Sequence, residues 1–394
     1  MRIKSWRFQG NELSYLKAVL NTGFKAGADG AFTTKLEGLF SKEYHQEYAI
    51  AFNSGTTTLH AILLAIGCKS NDEVLVPSLT PLMCGLAIHY TGATPVYVDV
   101  NEDTFLMDPL DIESKITKKT KAIMAVHMYG AVCDMKEIMR ISKKYRIQVI
   151  EDCAQCHLGK GFDGRYAGTY GIAGSWSFEN SKQLTCGDGG IVTTNSAKLA
   201  TSIRKIGGLG FKTLTAKAGR VRTDRDKLQN PNWKRFDTIG FNFRMNQMAA
   251  AVALAQVERQ EYFVNLRRLS GTKYTEALRG SLLLQPQKII GDNFNTYYTF
   301  SAKFLPGNGK VTWYEFRKKY IELGGDGIYA ASKLLYQEPI FKKLNIGKGK
   351  TPKAEKIQKQ LMNFTTNQNS IKEIEKQCAI LIATRKYFND FAKI

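Results

Sequence analysis

The sequence has no long hydrophobic run. None of its apolar segments approaches the roughly 18–20 residues that a membrane-spanning helix needs. The first residues, MRIKSWRFQGNELSYL, contain no apolar stretch of the kind that secretory signal peptides carry. The sequence therefore predicts no membrane association and no export, and we expect a cytoplasmic protein.

A metal-binding pattern is also missing. The seven cysteines are an odd number and scattered, and only Cys153 and Cys156 have C-x-x-C spacing. The five histidines do not cluster with this pair, which argues against a zinc site. We expect reduced thiols, as is usual in the cytoplasm, and no metal.

Acidic residues are few compared with basic ones. The chain has 35 Asp and Glu against 56 Lys and Arg, a formal net charge of +21. No RNP, zinc-finger or helix-turn-helix pattern accompanies this charge, so nucleic-acid binding is only a minor hypothesis. Two interpretations remain open: a solvated lysine-rich surface, or a site for an anionic substrate.

The first two thirds of the chain alternate between β-like and helical patterns. Stretches such as TTTLHAILLAIG and MKEIMRISKKY separate the β-like runs. This alternation predicts an α/β fold whose mostly parallel sheet is flanked by helices, with ligands at the carboxyl ends of the strands. The β-like runs are residues 47–52, 72–77, 94–100, 121–130, 147–152, 175–178 and 189–195.

The last third of the chain has a different organisation. Apolar periodicity predicts one long amphipathic helix over residues 245–269, after a polar loop at 207–239. A β-like run at 297–304 and a helical end at 371–392 follow. We therefore expect a large domain over 1–250, which includes an N-terminal helical segment, and a smaller α+β domain over 251–394.

Four polar features lie at the ends of predicted strands. Asp152 ends the run IQVIED, and NSGTTTL (53–59) joins a strand to a helix. Ser177 and Lys182 follow another strand. Each alone is an ordinary cap, turn or surface residue. Together they offer N–H groups and hydroxyls for a phosphate, a carboxylate for a pyridine nitrogen and an amine for an aldehyde, which are the requirements of pyridoxal 5'-phosphate.

These segments resemble the sugar aminotransferases of the DegT/DnrJ/StrS family, which belong to the fold-type I pyridoxal-phosphate enzymes. The resemblance extends from about residue 8 to the C-terminal helix and is strongest over 50–250. It implies an aspartate aminotransferase-like large domain with a seven-stranded type of sheet. The segments that carry it are NSGTTTLHAILLAIG, VPSLT, TGATPVYVDV, EDCAQCH, SFENSKQLTCGDGG and GFNFRMNQMAAAVALAQ.

The resemblance also implies a role for each matched residue. Lys182 would form a Schiff base with the cofactor and shuttle the proton, and Asp152 would keep the pyridine nitrogen protonated. Gln155 matches a position near the ring hydroxyl. The residues that match the phosphate-binding positions are Gly55, Thr56 and Ser177.

One matched residue implies an assembly. Asn242, in GFNFR, matches an asparagine that reaches the phosphate in the neighbouring subunit of relatives. The resemblance therefore implies a homodimer with active sites at its interface. A local hydrogen bond or salt bridge of Asn242 and Arg244 is the alternative.

The chain departs from the family pattern at two places. Where relatives stack an aromatic side chain on the cofactor ring, this chain has Thr80-Pro81, and proline has no π-face. Leu82, Met83 or a reshaped site are the alternatives there. The second departure is the basic loop 208–239. Either some of its lysines and arginines meet an anionic substrate, which is a nucleotide diphosphate, a sugar phosphate or a sugar acid, or the loop is solvated. These basic residues are Lys212, Lys217, Arg220, Arg222, Arg225, Lys227, Lys234 and Arg235.

The function implied by the resemblance is transfer of an amino group from L-glutamate to a keto or aldehyde sugar, in amino-sugar or surface-polysaccharide biosynthesis. The sugar is nucleotide-linked, a sugar acid or a sugar phosphate. The alternatives are a dehydratase with the same cofactor and a non-catalytic regulator. Dehydratase relatives replace the lysine by histidine, so Lys182 disfavours the first. The intact site residues disfavour the second.

Overall fold

A computed structural model describes residues 5–24, 31–217, 225–306 and 311–391. Within them the chain forms a seven-stranded sheet and a four-stranded sheet. Each strand of the larger sheet overlaps one of the predicted β-like runs. These strands are β1 (Tyr48–Phe52), β2 (Glu73–Pro77), β3 (Thr94–Val98), β4 (Thr120–Val126), β5 (Gln148–Asp152), β6 (Ala173–Ser177) and β7 (Gly190–Thr194).

The larger sheet is mostly parallel, with the strand order β1-β7-β6-β5-β4-β2-β3. All neighbours from β6 to β3 pair in parallel, whereas β7 is antiparallel to both β1 and β6. Every residue of β2 and of β6 is buried, as expected for strands whose two faces are covered. The predicted α/β fold is confirmed.

Helices flank this sheet, and polar side chains fix several of their starts. Ser54 accepts the N–H of Thr57, and Asp134 accepts the N–H of Glu137. No helix in the described ranges has the length and apolar character needed to cross a bilayer. The α-helices of these ranges are α1 (Glu12–Asn21), α2 (Phe32–Glu43), α3 (Gly55–Ala65), α4 (Leu82–His89), α5 (Pro109–Ser114), α6 (Met135–Tyr145), α7 (Ala197–Gly207), α8 (Arg225–Gln229), α9 (Gln247–Val257), α10 (Gln260–Ala277), α11 (Trp313–Glu322), α12 (Pro339–Leu344), α13 (Pro352–Gln358) and α14 (Ile371–Tyr387).

The prediction of one continuous helix over 245–269 is wrong. The chain leaves helical geometry between α9 and α10, where Arg259 has φ −116° and ψ 14°. The Arg259 guanidinium donates to the carbonyl of Arg7, which holds the break against the N-terminal segment. Periodicity could not reveal the break, because apolar residues continue in register on both sides of it.

The second sheet is antiparallel and has its own apolar core. Its order is β10-β11-β9-β8, and Phe300, Phe316 and Phe364 pack beside it. Leu334 and Phe341 lie in the C-terminal third but pack into the core of the larger sheet. The proposed division of the chain at residue 250 stays a prediction. The strands of the second sheet are β8 (Leu284–Pro286), β9 (Thr299–Phe304), β10 (Ile328–Ala330) and β11 (Leu361–Thr365).

Candidate active site

The carboxyl ends of β5 and β6 lie side by side. The two strands are parallel neighbours, and Asp152, the last residue of β5, lies opposite Ser175 of β6. Ser177 ends β6. The side chains of Asp152 and Ser177 are both buried. The topology thus brings two of the predicted site residues to one edge of the sheet, as parallel pairing requires.

The carboxylate of Asp152 has neutral partners only, as far as the described residues go. Its Oδ1 accepts the N–H of Ala154 at 2.9 Å, and its Oδ2 accepts the S–H of Cys84 at 3.2 Å. A carboxylate removed from water is costly unless a cation or strong donors compensate it. The site around Asp152 therefore suits a cationic group.

Cys84 is a residue that the sequence analysis missed. It lies in α4, and its thiol also contacts the hydroxyl of Thr80 at 3.2 Å. Burial, and then the charge of Asp152, raise the pKa of Cys84 well above its usual value. The thiol therefore stays protonated and can donate a hydrogen bond to the carboxylate of Asp152. The only signal in the sequence is that α4 begins just after the carboxyl end of a buried strand.

The start of α3 lies against Ser177. A Cβ added at Gly55 would be 2.7 Å from the Cβ of Ser177, so glycine allows this close approach. Ser54 takes the N–H of Thr57, whereas no acceptor in the described part of the chain takes those of Gly55 and Thr56. Two backbone N–H groups beside a buried hydroxyl suit a phosphate.

Gln155 lies three residues beyond Asp152. Its Oε1 accepts the backbone N–H of Tyr129 at 2.8 Å. Tyr129 has a left-handed backbone with φ 63°, an uncommon conformation for a bulky residue. The hydrogen bond to Gln155 supports this turn beyond β4, so Gln155 also shapes the site.

Lys182 lies in the loop after β6. Its N–H donates to the carbonyl of Glu179, and its own carbonyl accepts from the Arg7 guanidinium at 2.6 Å. Its Nζ is 5.2 Å from the ring centroid of Tyr298. That ring borders a cavity of about 590 Å³, which we call the main cavity. Its lining includes Arg7, Thr80, Pro81, Tyr129, Gln155, Ser181, Arg267 and Tyr298.

Pro81 borders the main cavity at the start of α4. Leu82 and Met83 are not among the described residues that line it. The aromatic rings that do line it include Tyr129 and Tyr298. A π-face is therefore available at the main cavity from positions outside the Thr80-Pro81 pair.

Asn242 lies at a second cavity, of about 530 Å³. It has φ 60°, and its Oδ1 accepts from the Arg244 guanidinium at 2.9 Å. This cavity shares no lining residue with the main cavity within the described ranges. The next residue, Phe243, accepts the N–H of Asn53 through its carbonyl, close to the start of α3. Within the described part of one chain, the side chain of Asn242 accepts from Arg244, and its backbone N–H donates to the carbonyl of Gly208 at 2.8 Å.

The basic loop 208–239 is described except for residues 218–224, so the prediction about Arg220 and Arg222 lies outside the described residues. Elsewhere in the loop, Lys212 and Arg235 both lie over the ring of Trp233, at 5.2 and 5.9 Å from its centroid. These two cations contact an aromatic ring of their own loop.

A buried carboxylate, that of Glu151, forms a hydrogen-bond network at the end of β5. Glu151, next to Asp152, lies within reach of His127 and Cys153, and the three could surround a metal ion. Its carboxylate is instead satisfied by protein donors. These are Nε2 of His127 and the backbone N–H groups of Gly168, Tyr170 and Gly171. The hydrogen bonds of Glu151 therefore hold the loop between β5 and β6 in place.

Glu151→Gln is expected to destabilise the protein by about 2–4 kcal/mol. The substitution replaces one carboxylate oxygen by an NH2 group, which cannot accept a hydrogen bond from a backbone N–H. Urea unfolding at neutral pH measures the change. Glu137→Gln is the matched control, since that carboxylate is on the surface and pairs with Arg140. A loss below about 0.5 kcal/mol for Glu151→Gln would contradict the structural role.

Comparison with known proteins places the chain in a family. Residues 7–377 match the model of the DegT/DnrJ/EryC1/StrS aminotransferase family. The GDP-perosamine synthase of Escherichia coli O157:H7 is 37% identical over 292 residues, which are 74% of each chain. The enzyme of the same name from Caulobacter vibrioides is 37% identical over 269 residues, 67% of each chain.

A solved structure agrees with these relatives. The aminotransferase from Psychrobacter cryohalolentis superposes with a TM-score of 0.87 at 26% identity, covering 99% of this chain and 100% of that one. The chain belongs to the DegT/DnrJ/EryC1/StrS aminotransferase family. The predicted family, the fold-type I architecture and the sugar aminotransferase class are thereby confirmed.

Proposed function

We propose that this enzyme uses pyridoxal 5'-phosphate to move an amino group from L-glutamate to a keto sugar carried on a nucleoside diphosphate. The observation that carries the proposal is the edge of the large sheet. There Asp152, with no cationic partner among the described residues, lies one strand from Ser177, and Gly55 at the start of α3 packs closely against Ser177. Lys182 lies in the loop after β6, with its Nζ over the ring of Tyr298, which lines the main cavity.

The described residues fit the cofactor at both of its charged ends. Asp152 would hold the pyridine nitrogen in its protonated form, and Cys84 would keep the carboxylate oriented. Gly55, Thr56 and Ser177 would hold the phosphate. When bound, pyridoxal phosphate supplies an aldehyde that condenses with amines and a ring that accepts an electron pair.

Lys182 would carry out the proton transfer. Its amine, when free, would take the proton from the α-carbon of the amino donor and deliver it to C4′ of the cofactor. Hydrogen bonds from Arg7 to the carbonyls of Asn180 and Lys182 hold the loop that carries this lysine. Gln155 would lie near the ring hydroxyl of the cofactor, from the turn beyond Asp152.

The acceptor class is inferred from the relatives. Those named GDP-perosamine synthases are similar over two thirds or more of the chain, which favours a nucleotide-linked keto sugar. The intact Lys182 disfavours a dehydratase, and the complete set of site residues disfavours a non-catalytic regulator.

We propose a homodimer in which Asn242 reaches the cofactor phosphate of the partner. In one chain Asn242 lies away from the main cavity, at the second cavity. Nearby apolar side chains are exposed: Ile239 is 81% exposed, and Phe236 and Phe241 are 56% and 43% exposed. Such a patch is typical of a protein interface. The division at residue 250 and a cytoplasmic location remain predictions.

A spectrum of the purified protein tests the proposal. With the cofactor bound, addition of L-glutamate is expected to replace the absorption of the pyridoxal form by that of the pyridoxamine form and to release 2-oxoglutarate. Addition of 2-oxoglutarate should reverse the change. D-glutamate is the matched control. An unchanged spectrum with L-glutamate at millimolar concentration would rule the proposal out.

A further inference from the structure

The amine of Lys182 meets an aromatic ring that comes from the second sheet. Its Nζ is 5.2 Å from the ring centroid of Tyr298, the residue just before β9. Among the residues that the structure describes, this amine makes no hydrogen bond and no ion pair. The face of an aromatic ring attracts a cation that lies within about 6 Å of its centroid. The ring of Tyr298 is therefore placed to hold the amine of Lys182 when that amine carries a proton.

The second sheet fixes the position of this ring. The carbonyl of Tyr298 accepts the hydroxyl of Thr366 at 3.0 Å, just beyond β11. The next residue, Thr299, pairs with Thr365 of β11. The ring thus lines the main cavity from the edge of one sheet, whereas Lys182 lies in a loop of the other.

A chain of hydrogen bonds orients the hydroxyl of Tyr298. The Oγ of Ser181 lies 3.0 Å from this hydroxyl and 2.6 Å from Oε2 of Glu179. A serine hydroxyl has one proton to donate, and an ionised carboxylate can only accept. The proton of Ser181 therefore goes to Glu179, and the hydroxyl of Tyr298 donates to Ser181. The N–H of Ser181 also donates to Glu179, at 3.0 Å, so the serine is held at two points.

This chain of hydrogen bonds starts on the turn that carries the lysine. The carbonyl of Glu179 accepts the N–H of Lys182 at 3.0 Å. Hydrogen bonds in a chain polarise one another, so a phenol that donates towards a carboxylate has a more electron-rich ring. Such a ring attracts a cation more strongly. The turn thus holds the amine and, through Ser181, also orients the ring that the amine meets.

We propose that Tyr298 is a positioning residue whose ring holds the amine of Lys182 while that amine carries the transferred proton. Ser181 and Glu179 orient the ring. The proposal rests on the proposed function, because the proton is the one that leaves the α-carbon of the amino donor. Nζ takes this proton and then gives it to C4′ of the cofactor, so the lysine ends the step as it began.

An aromatic face fits this task better than a carboxylate does. An ion pair in a partly buried site resists loss of the proton, because the remaining carboxylate would be left without its partner. A ring stabilises a cation by an amount that corresponds to only about 2- to 30-fold in an equilibrium constant. The amine can then take up a proton and release it in one turnover. The buried carboxylate of the site, Asp152, accepts instead from Ala154 and Cys84.

The first test measures how readily the amine of Lys182 reacts. The enzyme is loaded with pyridoxamine phosphate, which leaves this amine free, and is labelled with a trace of acetic anhydride. Peptide mass spectrometry gives the labelling of each lysine. Tyr298→Leu should raise the labelling of Lys182 about 2- to 30-fold, because only an unprotonated and uncovered amine reacts. Tyr298→Phe keeps the ring and should give a smaller rise. Equal labelling of Lys182 in Tyr298→Leu and wild type would overturn the proposal.

The second test separates positioning from substrate binding. Tyr298→Leu should lower the rate of the half-reaction at saturating glutamate about 3- to 30-fold and leave the half-saturating glutamate concentration within about twofold of wild type. Tyr298→Phe should restore most of the rate. Ser181→Ala should resemble Tyr298→Phe, and the double variant should lose no more than either, because both changes remove one hydrogen bond. A raised half-saturating concentration with an unchanged maximal rate would overturn the proposal.

Tyr166→Leu is the matched control, since Nζ of Lys160 lies 4.8 Å from the centroid of the Tyr166 ring. It should raise the labelling of Lys160 and leave both the labelling of Lys182 and the half-reaction unchanged. Tyr298→Phe and Ser181→Ala carry the test if Tyr298→Leu does not fold. A wild-type enzyme that does not react with glutamate sinks the proposed function. The labelling of Lys182 would still decide whether the ring holds the amine.

Discussion

Lys182→Ala is expected to reduce the rate of the glutamate half-reaction by about 10⁴-fold or more. Proton transfer by a positioned side chain contributes about 10²- to 10⁴-fold, and the amine that engages the cofactor aldehyde is lost together with it. Single-turnover absorbance measurements after mixing with glutamate give the rate. Borohydride reduction followed by peptide mass spectrometry should label Lys182 in wild type and no residue in the variant.

Lys160→Ala is the matched control for this change. Lys160 also lies over a tyrosine ring, with its Nζ 4.8 Å from the centroid of Tyr166, and it is not among the residues that line the main cavity. Its loss should leave the rate within about twofold of wild type. A Lys182→Ala enzyme that keeps more than a tenth of the wild-type rate would show that another group moves the proton.

Asp152→Asn is expected to lower the half-reaction rate by roughly 10²- to 10³-fold. Asparagine keeps the shape and an oxygen that can accept the N–H of Ala154, but it removes the negative charge. A protonated pyridine nitrogen would then be buried without its counter-charge, a loss of about 3–5 kcal/mol. The cofactor should also dissociate more readily, which equilibrium dialysis measures.

Variants of Cys84 separate charge from geometry at this site. Cys84→Ser keeps a donor to Oδ2 of Asp152 and should change the rate less than about threefold, whereas Cys84→Ala removes the donor and should lower the rate about tenfold.

The unfolding midpoint of Asp152→Asn should remain close to that of wild type. A rate for Asp152→Asn within fivefold of wild type would contradict its proposed role.

Much of the fold could be predicted from the sequence. The seven strands of the large sheet are short apolar runs between helical patterns, and each was found where its run predicted it. Parallel pairing then places strand ends on one edge, so Asp152 and Ser177 could be expected to meet. The antiparallel direction of β7 and the break at Arg259 could not be predicted, because neither changes the apolar pattern.

The site was less predictable than the fold. Asp152, Lys182 and the start of α3 follow strands and match a family pattern, so local sequence indicates them. Cys84 and Tyr298 carry no such signal. Cys84 acts on a carboxylate 68 positions away, and Tyr298 meets a serine 117 positions away. Their importance depends on burial and distance, which periodicity does not encode.

The sequence by itself determined the class of fold, the family and the residues at the strand ends, because these follow from local apolar patterns and short motifs. Only the tertiary structure decided which charges are left without a partner. Arg7 and Lys182 are 175 positions apart and yet share a hydrogen bond of 2.6 Å. Whether the buried carboxylate of Asp152 is compensated depends on every element packed around it, and that is a property of the folded chain alone.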